Sequence, residues 1–159
     1  MNQLQLKEKF LNHEYDAMLA DLYEDASLVD YQRERYVKAI ERYNELYGDD
    51  DLEIYSVAGR SEVTGNHTDH QHGNVLAASI NLDAIGFVTK QDEVINIVSD
   101  DFNIKEISIH DLDKKDDEEG TSEALIRGVR VRLKEEGYNI GGFKAFITSD
   151  VLMGAGLSS

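Results

Sequence analysis

Three of the chain's five histidines, His67, His70 and His72, fall within six residues, with Asp69 between them and Arg60 shortly before, in the stretch AGRSEVTGNHTDHQHGN (Ala58 to Asn74). Imidazole nitrogens and a carboxylate are ligands that a divalent metal accepts. The steps of two, one and two residues from His67 through Asp69 and His70 to His72 match no helical metal pattern. Neighbours on an extended strand point to opposite faces, so only a tightly curled loop could bring all four together. Alternatively, His67 and Asp69 face one ligand and hydrogen-bond its hydroxyls, while Arg60 supplies positive charge. A third reading is a solvated turn. Composition alone ranks the solvated turn first, polyol binding second and a metal third.

A second candidate lies at the carboxy-terminal end, in GAGLSS (Gly154 to Ser159). Glycines after a strand let successive backbone N–H groups turn inward around an anion, and a helix beginning at the serines would aim its positive end there. No Lys follows the second Gly, so this is not a Walker A loop. By itself such a turn is more often a plain tight turn than a phosphate site.

The elements that must position these segments follow from periodicity. From Leu4 to Tyr47 apolar residues recur at three- and four-residue steps, which predicts helices packing one face. Ser27 or Asp30 is expected to cap the second helix, and Gly48 to stop it. LEIYSVAG (Leu52 to Gly59) predicts a short strand running into the histidine segment. NVLAASINLDAIGFVTK (Asn74 to Lys90) predicts a strand buried on both faces for part of its length, and EVINIVS and NIKEISI shorter strands with one wet face. DLDKKDDEEG (Asp111 to Gly120) reads as a solvated loop whose charges have no further role. Thr121 then opens a helix whose face carries Leu125, Ile126, Val129 and Leu133, with Glu123 in its first turn and Gly137 at its end. FKAFITS (Phe143 to Ser149) is the last strand.

At 159 residues the chain is long enough to bury a core of its own. Its net charge of −16 disfavours nucleic acid and anionic membrane surfaces as partners, though backbone N–H groups can still hold a small anion locally. Without cysteine there is no disulfide framework or thiolate chemistry. The N-terminus lacks the pattern of a signal peptide, and no apolar run reaches membrane-spanning length, so a cytoplasmic location is expected.

Taken together and in this order, the two segments resemble the galactokinase branch of the GHMP small-molecule kinases. The family's first motif is close to A-P-G-R-V-N-L-I-G-E-H-T-D-Y-N-G-G, and the chain has VAGRSEVTGNHTDHQHG. Gly59, Arg60, Gly65, His67, Thr68, Asp69 and Gly73 fall on matching positions. The second motif, roughly S-D-V-P-x-G-A-G-L-S-S-S-A, is matched by SDVLMGAGLSS (Ser149 to Ser159). NVLAASI and RYNELYG are family-like as well, so the resemblance runs from about Tyr36 onward.

The resemblance implies ATP-dependent phosphorylation, with Mg2+, of the anomeric hydroxyl of a galactose-like sugar. Carried over position by position, Arg60 stabilises the transferring phosphoryl group. Asn66, His67 and Asp69 contact the sugar, while Gly154, Ala155, Gly156, Leu157, Ser158 and Ser159 form the phosphate loop. Phosphoryl transfer depends above all on positioning and charge neutralisation, which these parts would supply. The implied fold is α+β: the N-terminal lobe of a GHMP-type kinase, a mixed sheet with helices on one face plus an N-terminal helical segment. Residues 1–50 form that helical segment and 51–159 a truncated sugar- and ATP-binding lobe.

The chain also departs from the pattern. The family's sugar-contacting Glu is Asn66 here, its Tyr is His70 and one Gly is His72, which leaves the identity of the sugar open. Proline is replaced by Ala58 and by Leu152. The third serine of the phosphate loop, a later catalytic Asp and the C-terminal lobe have no counterpart. The expectation is an N-terminal portion of such a kinase, inactive alone. The alternative is a non-catalytic, sugar-binding or regulatory relative.

Overall fold

The structure, a computed structural model, describes residues 1–65, 68, 71–100 and 102–151. Three helices open it: α1 (Gln3–Leu11), α2 (Asp16–Leu22) and α3 (Val29–Tyr47). The long helical pattern of the sequence is broken at His13 and Glu24, whose φ values of 64° and 51° turn the chain between helices. Neither Ser27 nor Asp30 is the cap. The Asp25 carboxylate accepts from the Ser27 N–H at 2.8 Å and from the Ser27 hydroxyl at 2.6 Å, opening a 3-10 turn that runs into α3. Gly48 ends α3 as expected.

Five strands follow: β1 (Glu53–Thr64), β2 (Leu76–Gln91), β3 (Val94–Ser99), β4 (Phe102–Ser108) and, after helix α4 (Ser122–Glu135), β5 (Gly142–Ser149). They form one sheet in the order β1-β2-β5-β3-β4. Among the described residues only the β3–β5 pair is parallel, so the sheet is mixed and the fold α+β. β1 extends five residues beyond the strand predicted to end at Gly59, which makes Arg60 a strand residue rather than a loop residue.

Alternation along the strands divides the interior in two. On one face Ile85, Phe87, Val98 and Phe146 meet Leu6, Phe10, Leu19, Tyr36, Ile40 and Tyr43 from the N-terminal helices. On the other, Ile95, Ile97, Ile107 and Ala145 form a smaller cluster joined by Ile126 of α4. The N-terminal helices and α4 therefore cover opposite faces.

The α4 interface differs from the predicted one. Thr121 caps it, accepting from the Ala124 N–H at 3.3 Å, and Gly137 terminates it as expected. Yet Leu125, Val129 and Leu133 are exposed, and the buried residues of the helix are Arg127 and Arg130. The acidic loop before α4 has a structural role too. Glu118 accepts from Arg127 Nε at 3.0 Å and Nη2 at 2.8 Å, and the Asp111 carbonyl accepts from Arg127 Nη1. That pairing turns a charged residue of α4 inward, correcting the expectation that the loop's charges do nothing. The hydrogen bonds from Arg127 hold the Glu118 carboxyl below the usual glutamate range.

Candidate functional site at the meeting of the two motifs

The first motif runs along the outer half of β1 into the turn toward β2. Register is regular from Glu53↔Val88 to Ala58↔Asp83, then resumes at Arg60↔Ser79, so Gly59 faces three residues of β2. This irregularity presses the Gly59 backbone inward. A Cβ there would lie 2.7 Å from Val151 Cγ2, 3.2 Å from Ile80 Cδ1 and 3.2 Å from the Leu82 carbonyl oxygen. Real Cβ atoms essentially never come as close as 2.7 Å, so any larger residue at this position would have to displace Val151. Val151 belongs to the second motif, 92 positions further on. The two motifs are in contact, and their meeting point is the residue before Arg60. Arg60 itself is exposed on β1.

Beyond Thr64 the chain turns at Gly65, whose φ of 130° lies in the region that glycine tolerates best. Thr68 organises the turn. Its hydroxyl donates to the Gly65 carbonyl at 2.8 Å, and its own carbonyl accepts from the Gln71 N–H at 3.0 Å and the Gly73 N–H at 2.9 Å. A side chain on Gly73 would overlap Thr68. The described part of the segment is thus curled rather than extended. His72 is exposed there, with φ 61°. Of the other predicted site residues, Asn66, His67 and Asp69 lie outside the described residues, as do His70 and Gly154, Ala155, Gly156, Leu157, Ser158 and Ser159.

A buried polar network beneath the junction was not anticipated from the sequence. Asp83, on β2, is 3% exposed. Its carboxylate accepts from Arg35 Nη1 at 2.6 Å, the Tyr23 hydroxyl at 2.9 Å and the Ser56 hydroxyl at 2.5 Å. Its carbonyl accepts from Arg35 Nη2 at 3.0 Å and from the Asp150 N–H at 3.0 Å. Arg35 also pairs with Asp150 Oδ2 at 3.2 Å, and Tyr31 donates to Asp150 Oδ1 at 3.0 Å.

Three elements are therefore pinned at one point: α3 through Arg35, β1 through Ser56, and the end of β5 through Asp150. Buried charges persist where they are paired and hydrogen-bonded. Burial alone would lower the Arg35 pKa, but the contacts with Asp83 outweigh it and the pKa ends above the usual arginine value. Burial, reinforced by the hydrogen bond with Tyr36, pushes the Tyr23 phenol far up, so it stays a donor. The sequence offered one clue, an ionisable residue interrupting the apolar run of β2.

Comparisons of sequence and of fold find the same group of relatives. A family model described as the galactokinase galactose-binding signature matches residues 41–90, which hold the end of α3, all of β1, the turn and most of β2. The galactokinase of Pyrococcus furiosus is 40% identical over 102 residues, covering 64% of this chain and 28% of that protein. The galactokinase of Lactococcus lactis subsp. lactis is 31% identical over 125 residues, covering 75% of this chain and 31% of that protein. A solved structure, the crystal structure of Lactococcus lactis galactokinase complexed with galactose, superposes with a TM-score of 0.64 at 31% identity. That match covers 75% of this chain and 32% of the solved one. The chain spans about three tenths of the length of the curated relatives it matches.

Proposed function

We propose that this chain, which is related to the N-terminal part of the galactokinases, forms the sugar-binding portion of an ATP-dependent sugar 1-kinase acting on galactose or a related hexose. In this reading residues 51–159 make the lobe that carries the site, and residues 1–50 brace it from behind. The observation that supports it most is the contact of Gly59 with Val151. A sugar held by the first motif and a nucleotide held by the second must meet for transfer, and these motifs touch at the residue before Arg60.

The chemistry assigns each part a role. Asn66, His67 and Asp69 hydrogen-bond sugar hydroxyls. Arg60 stabilises charge on the phosphoryl group as it moves, an interaction made mainly in the transition state. Backbone N–H groups of Gly154 to Ser159 hold the phosphates of ATP, which enters as substrate together with its Mg2+. The Asp83–Arg35–Asp150 network fixes the strand ends that carry both motifs, since small misplacements at a reacting centre are costly in rate.

The test is a coupled phosphotransfer assay across several hexoses on this chain extended with the C-terminal portion of the Lactococcus lactis enzyme. Galactose or a close epimer should turn over. Arg60→Ala should lower kcat by about 10²–10³-fold. Asp69→Ala should act chiefly on sugar affinity, because it leaves hydroxyls without an acceptor. Near-unchanged kinetics in both variants would refute the assignment.

A further inference from the structure

Among the described residues three arginines are buried: Arg35, Arg127 and Arg130. Arg35 pairs with Asp83 and Asp150, and Arg127 with Glu118. Among the described residues Arg130 has no such partner. It is 7% exposed, and Nη2 donates to the Ile140 carbonyl at 2.9 Å. Nε and Nη1 are buried without any hydrogen-bond acceptor. A guanidinium stays charged in proteins, and burying it unpaired is costly. Its isolation is the more notable in a chain with 32 carboxylate side chains.

Arg130 lines a cavity of about 250 Å³ at the end of the sheet where β5 begins. Lys134, one turn further along α4, lines it too, with His110 after β4 and Tyr138 and Asn139 in the connection to β5. Every one of these polar side chains can donate a hydrogen bond, and among the described residues no carboxylate lines the cavity. The volume falls below the usual range for drug-sized ligands, so the occupant must be compact. The cavity is also remote from the motif junction. It opens near Gly142, and the second motif starts at Ser149, about 23 Å away along the strand.

We propose that this cavity is a second anion site, which takes inorganic phosphate or the phosphate group of a small phosphomonoester, with Arg130 as buried anchor and Lys134 at the rim. Arginine and lysine are the side chains that most favour phosphate oxygens, and an anion in the cavity would supply at short range the negative charge that the Arg130 guanidinium lacks. The desolvation that depresses the Arg130 pKa would be offset by the same anion.

The test is calorimetric titration of the chain with inorganic phosphate, with sodium acetate and sodium chloride at matched ionic strength as controls. One phosphate should bind per cavity in preference to either control. Arg130→Met should weaken that binding at least about tenfold, the equivalent of one charge-assisted hydrogen bond. In phosphate-free buffer the same variant should melt no lower than the parent, because an unpaired buried charge is gone. Lys134→Ala, at an exposed position, should weaken phosphate severalfold without altering the melting temperature. A hexose 1-phosphate that competes with phosphate would identify a phosphomonoester as the ligand; one that does not would leave the inorganic ion, with the same anchor. Unchanged phosphate affinity in both variants would overturn the proposal. So would acetate binding as tightly as phosphate, or a loss seen only in Gly156→Ala, which would put the anion on the glycine-rich segment.

Discussion

On one face of the sheet Phe10, Tyr23, Tyr36, Tyr43 and Phe87 are sealed with at most 3% exposure, and the buried arginine among them, Arg35, meets a carboxylate, Asp83, directly, although its Nε has no acceptor among the described residues. The other face has a four-residue aliphatic cluster, a helix whose apolar stripe points outward, and a buried arginine lacking an acid. The first face backs both motifs and holds them in register. The second joins β3, β4 and β5 to α4, away from both motifs.

That contrast can be broken most sharply at Asp83. Asp83→Ala leaves Arg35 buried with only Asp150 to face, and breaking such a pair should cost about 3–5 kcal/mol in urea unfolding. A loss under about 1 kcal/mol would show that the network is not the structural pin of that face.

Alkaline titration sharpens the comparison. Burial pushes the Tyr43 phenol up to about 12 and the Tyr23 phenol higher still, whereas an unfolded tyrosine titrates near 10. A raised folded-state pKa contributes stability that is complete below the unfolded value and fades as pH rises toward the folded one. Unfolding free energy should therefore fall above about pH 10, by roughly 1.4 kcal/mol per pH unit for each such phenol. Tyr43→Phe should make the decline shallower; an identical slope in that variant would contradict the assignment.

The smallest effect is expected on α4. Leu125 is 70% exposed, so Leu125→Gln should change stability by no more than about 0.5 kcal/mol. A loss of several times that in the isolated chain would mean that the stripe is covered.

These outcomes bear on what the sequence could reveal. The stripe Tyr36, Ile40, Tyr43 on α3 belongs to the helical spacing legible between Leu4 and Tyr47 and lies buried against the sheet. An equally regular stripe on α4 is legible in the same way and lies outside, because periodicity reports that a face exists and not what covers it. Arg127 turns inward on account of Glu118, nine residues away in a loop that composition marks as solvated. The Arg35–Asp83 pair joins residues 48 apart, beyond the reach of any local pattern. The motifs themselves were recognisable only by resemblance, since nothing local to Gly59 announces Val151. Strand order likewise followed from pairing between distant segments.

One consequence follows from the unequal pairing of β2. From Ala84 to Val88 it is bonded on both sides, to β1 and to β5. From Leu76 to Asp83, among the described residues, β1 is its only strand neighbour. Half of the amides in that stretch point away from any ladder, so deuterium uptake should rise steeply on crossing from Ala84 toward Leu76. The outer hairpin is then an arm held by a single neighbour beyond the Gly59–Val151 contact.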